Sequence, residues 1–170
     1  MQQRITAVLS ITELFDGMTP TQLELIASIC ESGQYHEGDV LLRENESSDE
    51  MYIIARGSVQ ILMNPGMVSD GSEADLEPVL LTELRQGQVF GEIAMVDQGI
   101  RSATVVVNRE DTILFRIARQ RLILLCDSYP ELGYKLMRNL AADLAFKIRN
   151  TDLTIRQYQL MLSQRDRHAG

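Results

Sequence analysis

The stretch Gln86-Gly87-Gln88-Val89-Phe90-Gly91-Glu92-Ile93-Ala94-Met95-Val96-Asp97-Gln98-Gly99-Ile100-Arg101-Ser102-Ala103-Thr104-Val105 holds the residues whose types and spacing suit chemistry. Glu92 to Val96 carries one turn of helical pattern, and a helix start presents unpaired N–H groups with partial positive charge. Gly91 has no Cβ, so a ligand can approach the backbone there. Arg101 follows a short turn at Gly99, and its planar fork fits two phosphate oxygens at once. Ser102 adds a hydroxyl donor. Glu92 beside an anion site opposes binding unless it has a task. It can accept a hydrogen bond from a sugar hydroxyl, and it can hold the Arg101 guanidinium. Both tasks point to a ligand with a phosphate and a ribose hydroxyl close together. No G-x-x-x-x-G-K-S/T loop is present, which argues against a nucleoside triphosphate. One arginine and a few amides suit a single negative charge, such as that of a cyclic phosphodiester.

The elements that must position this stretch are legible on either side of it. Residues 1–33 read as a helical segment. Thr19-Pro20-Thr21-Gln22 is a helix start with Thr19 as N-cap, Pro20 at the first helical position and Gln22 closing a capping box. Leu23, Ile26, Ala27 and Cys30 fall on one face, and Gly33 is the expected stop. Residues 34–118 change character. Eight of the eleven glycines lie between Gly33 and Gly99, and short apolar runs such as Met51-Tyr52-Ile53-Ile54 and Thr104-Val105-Val106-Val107 alternate with turn residues. That spacing predicts an antiparallel sandwich or barrel, with Arg56-Gly57 as a hairpin turn. Residues 64–78 hold four acids, no base and two prolines, and read as a solvated loop between strands. Residues 119–170 return to helical period: a short helix ending before Pro130, then a long one. Its apolar positions Leu136, Leu140, Leu144, Ile148, Thr151, Ile155, Tyr158 and Leu162 form one stripe that becomes a heptad seam after Ile148. A helix over 131–164 extends about 50 Å, more than a small barrel can cover, so the seam is expected to pack against its twin in a parallel homodimer.

Phe90-Gly91-Glu92-Ile93-Ala94 through Arg101-Ser102-Ala103-Thr104 resembles the phosphate-binding cassette of cyclic-nucleotide-binding domains, found in activator proteins, protein kinase regulatory subunits and gated channels. His36-Glu37-Gly38-Asp39-Val40-Leu41 and Tyr52-Ile53-Ile54-Ala55-Arg56-Gly57-Ser58-Val59 resemble that family's early strands and glycine turn, so the likeness covers about residues 10–150. It implies an α+β fold: an antiparallel β-roll, jelly-roll-like, with N-terminal helices, a cassette at 90–104 and a long C-terminal helix. It further implies that Glu92 binds the ribose 2′-hydroxyl and Arg101 the exocyclic phosphate oxygens. Amides at Gly91, Ala94, Ser102 and Ala103 would complete the cradle, with Ile93 in the same binding stretch. Ile61 and Leu81 fall where the family lines its base pocket, and Asn150 and Thr151 are the polar contacts expected from the covering helix. Ser102 after the arginine favours cAMP over cGMP, because threonine there often marks cGMP binders. The chain departs from the family at Asn45, where glycine is usual, at Ile100, where many members have proline, and in the longer acidic loop. Asn tolerates positive φ, so the first change is compatible with the turn.

Composition bounds the alternatives. The chain has 170 residues and a net charge of −8, with −12 on residues 1–118 and +4 on residues 119–170. The bulk of it repels phosphate backbones and anionic membranes. No apolar run approaches the roughly 20 residues that span a bilayer, and Cys30 and Cys126 sit in apolar helical patterns, so a reducing cytoplasm is expected. The few residues after the long helix are not expected to hold a helix-turn-helix module, and the alternative to a sensor is a truncated or degenerate activator-type regulator, with ligand binding lost or DNA binding supplied by a partner. Only His36 and His168 are available as imidazole ligands, so no metal or catalytic site is expected. The reading is a non-enzymatic domain without resident cofactor, regulated by cAMP or cGMP, acting on a downstream protein, with neither DNA nor membrane as partner.

Overall fold

A computed structural model describes residues 2–64, 77–97 and 99–168, the last eight of these as backbone only. Residues 65–76 of the acidic segment, and the seam residue Leu162 as a side chain, lie outside the described residues. The chain begins with α1 (Gln2–Leu9), a 3₁₀ turn (Glu13–Phe15) and α2 (Pro20–Ile29). Among the described residues eight strands follow: β1 (Glu31–Tyr35), β2 (Val40–Leu42), β3 (Glu50–Arg56), β4 (Ser58–Met63), β5 (Val79–Arg85), β6 (Val89–Phe90), β7 (Thr104–Val107) and β8 (Thr112–Ala118). A further 3₁₀ turn (Ile93–Met95) sits between β6 and β7, and α3 (Arg119–Ser128) and α4 (Pro130–His168) follow β8.

The strands form two four-stranded antiparallel sheets, β1-β8-β3-β6 and β2-β7-β4-β5: the antiparallel strands that the alternation predicts, in the open β-roll that the resemblance implies. β3 shows why its apolar run is unbroken. Met51 and Ile53 face a core shared with the helices, while Tyr52 and Ile54 face the space between the sheets with Leu42, Val59, Phe90, Val105 and Leu114. A strand covered on both faces reads as a continuous hydrophobic run. The Tyr52 and Phe90 rings stack at 5.0 Å. The helical layer buries Ile5, Leu9, Phe15, Ile26, Leu122, Leu132 and Leu136 against the first sheet. The α2 start is as expected: the Gln22 amide donates to Thr19 Oγ1 at 3.3 Å and the Thr19 amide to Gln22 Oε1 at 3.0 Å.

Two sequence expectations are corrected. Gly33 does not stop α2. The helix ends at Ile29, with Cys30 already extended, and Gly33 pairs with Leu114 inside β1. Arg56-Gly57 is not a hairpin turn. β3 and β4 belong to different sheets, so Gly57 forms the corner where the chain crosses between them. Its φ of +91° and the absence of room for a Cβ beside the Thr112 side chain both call for glycine.

α4 has two halves. Leu132, Leu136 and Leu140 are buried, and Asn139 Nδ2 donates to the carbonyls of Leu14 at 3.1 Å and Asp16 at 2.9 Å, pinning the helix to the first 3₁₀ turn. Beyond Leu144 the apolar residues Phe146, Ile148, Leu153, Ile155 and Tyr158 are exposed. At 39 residues the helix is about 58 Å long, so its far half projects past the roll.

Candidate functional site

Arg101 is placed by its own backbone before its side chain does anything. Its amide donates to the Glu46 carbonyl and its carbonyl accepts from the Asn45 amide, both at 2.9 Å. Asn45 turns the chain there with φ +67°, the positive value expected at this position. The guanidinium, on a residue 6% exposed, then spans three partners. Nε donates to Ser48 Oγ at 2.8 Å, Nη1 to the Gly91 carbonyl at 3.0 Å and Nη2 to the Glu50 carbonyl at 2.6 Å. Among the described residues three of the five guanidinium donors are thereby used, which leaves two for a ligand. Burial pulls its pKa down from the ordinary arginine value, and the neighbouring acids Glu50, Asp49 and Glu92 act in the opposite sense. An arginine stays cationic nonetheless.

Gly91 has φ +75°, and a Cβ there would stand 2.8 Å from the Glu50 carbonyl oxygen and 3.0 Å from Arg101 Nη1. Only glycine lets the cassette pass this close to β3. Glu92 precedes the 3₁₀ turn and is 4% exposed. Its Oε1 accepts from Lys147 Nζ of α4 at 2.6 Å, and the same ammonium lies 2.8 Å from Asp143 Oδ2. Desolvation pushes the Lys147 pKa down, but the Glu92 and Asp143 carboxylates outweigh it and leave it raised. Among the described residues, the amides of Ser102 and Ala103 donate to no other group, which leaves them open to an anion.

These groups border one cavity of about 540 Å³, within the range of small-ligand sites. The cassette supplies Gly91, Glu92, Ile93, Ala94, Arg101, Ser102 and Ala103. Ile61, Leu84 and Val105 form an apolar wall, the Ile11–Leu14 segment a second, and Asp143 and Lys147 of α4 close a third. Arg101 and Lys147 are matched there by Glu92 and Asp143, and Glu13 and Asp97 border the cavity as well. With four carboxylates to two cations the lining disfavours a polyphosphate, and an anion there has to be met locally by Arg101 and the backbone amides.

All the cassette residues singled out in the sequence, and Ile61, therefore converge. Leu81, Asn150 and Thr151 do not. Leu81 is 51% exposed on β5 and takes no part in the cavity wall, which uses Thr82 and Leu84 instead. Asn150 and Thr151 lie on exposed α4, with Thr151 Oγ1 donating to the Lys147 carbonyl. Sequence reasoning misses Ser48, Asp143 and Lys147. The one signal for the last two is an acid and a base four apart on α4, which reads equally as a solvated pair. Among the described residues no cluster of His, Cys, Asp and Glu is suited to a metal, and no helix is long and apolar enough to cross a membrane.

Comparison with known proteins follows the same residues. Residues 33–129 match the model of the cyclic nucleotide-binding domain. The cyclic AMP receptor protein of Thermus thermophilus is 29% identical over 142 residues, covering 84% of this chain and 60% of that protein. Human cGMP-dependent protein kinase 2 is 27% identical over 119 residues, covering 70% of this chain and 15% of the kinase. The chain thus spans less than two thirds of either relative. The crystal structure of the Thermus thermophilus catabolite activator protein superposes with a TM-score of 0.72 at 27% identity, covering 87% of this chain and 63% of that one. A cyclic nucleotide-binding domain from Methylobacillus flagellatus shares the fold, with a TM-score of 0.72 at 21% identity over 88% of this chain and 79% of its own. With more than half of its length matched, the chain belongs to the cyclic nucleotide-binding domain family.

Proposed function

We propose that this chain is a non-enzymatic sensor that binds cAMP in preference to cGMP and transmits occupancy through α4. The observation that carries the reading is the convergence on one cavity of buried Glu92 and Arg101 with the amides of Ser102 and Ala103, which have no acceptor among the described residues. A cyclic phosphodiester has one negative charge for Arg101 and the amides, and a ribose hydroxyl beside it for Glu92. The apolar wall of Ile61, Leu84 and Val105 is suited to the base. The preference for cAMP rests on Ser102.

Ligand can shift the pose of α4 only by binding one pose better than another. Lys147 and Asp143 put α4 at the cavity, which is where such a difference arises. The exposed stripe Ile148, Thr151, Ile155 and Tyr158 keeps a 3-4-3 spacing and supports a parallel homodimer through α4. Output then passes to a downstream protein rather than to DNA or a membrane, given the net charge of −8. Cys30 and Cys126 are both free, which fits the cytoplasm.

The test is to denature the purified protein, identify any released nucleotide by mass spectrometry, and titrate cAMP and cGMP into the stripped form. Tighter binding of cAMP is expected. Binding of neither, to correctly folded protein, overturns the reading.

A further inference from the structure

The Glu92 carboxylate is nearly buried, yet only one of its oxygens is engaged. Lys147 Nζ holds Oε1 at 2.6 Å. Among the described residues no group donates to Oε2, and Glu92 borders the cavity. A buried carboxylate without a cation is strongly disfavoured. Here the cation comes from α4, 55 residues away in sequence, and not from Arg101, whose three hydrogen bonds go elsewhere. Lys147 is itself oriented: Asp143, one turn earlier, lies 2.8 Å from the same nitrogen, and the side chain stays 46% exposed at the cavity mouth. The helix carrying it is fixed just below this level by buried Leu140 and by the two Asn139 hydrogen bonds.

We infer that Lys147 is a positioning residue for sugar recognition: by fixing Oε1 of Glu92 it presents Oε2 to the cavity as the acceptor for the ribose 2′-hydroxyl. The inference rests on the cyclic nucleotide reading of the site and deepens it. α4 becomes part of the sugar subsite. Its docked pose is then a condition of ribose recognition, and one salt bridge couples ligand choice to helix position. The opposite arrangement, in which Lys147 plugs Glu92 and the nucleotide must expel it, makes the contrary forecast that removing the lysine tightens binding.

The experiment is a calorimetric titration of wild type, Lys147→Met and Lys147→Arg with cAMP and with 2′-deoxy-cAMP. A hydroxyl on a charged acceptor gives wild type a ribose preference of about ten- to a hundredfold. Lys147→Met is expected to lose at least about tenfold of that preference, mainly through weaker cAMP binding, and Lys147→Arg to retain most of it. An unchanged preference in Lys147→Met, or tighter cAMP binding, overturns the inference. Wild type that binds both nucleotides equally removes the Glu92 role and this inference with it, while leaving a cyclic nucleotide site in place. A ligand-free measurement tests the contact separately. Lys147→Met is expected to lower Tm in wild type but much less in a Glu92→Gln background. Equal drops in the two backgrounds overturn the inference whether or not any nucleotide binds.

Discussion

Arg101 Nη2 donates to the backbone carbonyl of Glu50 at 2.6 Å, joining two residues that are 51 apart in the chain. The cassette arginine is therefore bolted to the start of β3. The same Glu50 accepts from Arg116 Nη1 through Oε1 at 2.8 Å and from the Tyr52 hydroxyl through Oε2 at 3.3 Å. Arg116 continues to Glu31, which also pairs with Arg121 of α3 at 2.8 Å. A ligand that pulls on Arg101 thus pulls on the strand from which this chain of ion pairs starts.

The first consequence is that Arg101 has a structural role apart from any ligand. Arg101→Leu leaves Ser48 and the carbonyls of Glu50 and Gly91 without their donor, at a cost of about 1–3 kcal/mol for buried polar groups left unpaired. Urea unfolding of ligand-free protein is expected to show that loss. Calorimetry on the folded fraction is expected to show most nucleotide affinity gone, whereas Glu92→Gln weakens it less. Arg101→Leu with wild-type stability contradicts the three contacts, and one with retained tight binding contradicts the site.

Gly91 is constrained twice over. A side chain in the left-handed region costs about 1–2 kcal/mol, and here the Cβ also meets a backbone oxygen at 2.8 Å that cannot move without β3. Gly91→Ala is expected to lower Tm by several degrees and to weaken cyclic nucleotide binding by displacing Nη1. A thermal melt matching wild type counts against so close an approach of the cassette to β3.

The base-pocket wall shows where the sequence stops being informative. Gly91, Glu92 and Arg101 are legible because the cassette is local: its turn glycines and its fork arginine lie within one short stretch. Thr19 and Gln22 are legible for the same reason. Gly57 is readable as a turn, but no local signal separates a hairpin from a crossing between sheets. Leu81 enters the expected pocket through the family resemblance, and no local signal in Val79-Leu80-Leu81 or beyond it points to Leu84 instead. A register shift between Ile61 and Leu62 in the β4–β5 ladder and the alternation along β5 decide which residues reach the cavity, and a one-residue slip reverses the faces. Lys147 is unreadable because its partner is 55 residues away. Accordingly, Leu84→Ala is expected to cost about 1 kcal/mol or more and to weaken nucleotide binding. Leu81→Ala should stay within about 0.5 kcal/mol and change affinity by no more than about twofold. Isothermal titration and denaturation of the two variants check both statements, and the reverse order would return Leu81 to the pocket.

The far half of α4 gives the next prediction. Ile155 and Tyr158 lie in an apolar row exposed beyond the roll, and a single helix gains nothing by keeping such a row in water. Ile155→Asp puts a charge into the proposed seam and is expected to convert dimer to monomer in sedimentation equilibrium while leaving Tm of the roll nearly unchanged. A wild type that sediments as a monomer at high concentration removes the seam.

His36 supplies a pH-dependent contact between the end of β1 and the β7–β8 turn. Its ring pairs with Glu110, whose Oε2 also accepts from the Glu37 amide at 3.1 Å. The hydrogen bond to Glu110, then its charge, raise the His36 pKa above the ordinary 6.5, with Asp39 and Asp111 adding to it, while the His36 contact holds the Glu110 carboxyl below 4.5. A raised histidine contributes stability that is complete below 6.5 and fades as pH climbs through its folded value. A depressed carboxylate contributes above 4.5 and fades as pH falls through its folded value. The pair therefore acts fully between those limits and weakens on both sides. Following the His36 ring protons by NMR across pH 5 to 8 is expected to give a midpoint above 6.5, which Glu110→Gln returns toward 6.5. Both groups are exposed, so the effect on global stability is small, and the ring titration is the measurement that decides: an ordinary midpoint with Glu110 in place means the two side chains do not meet in solution.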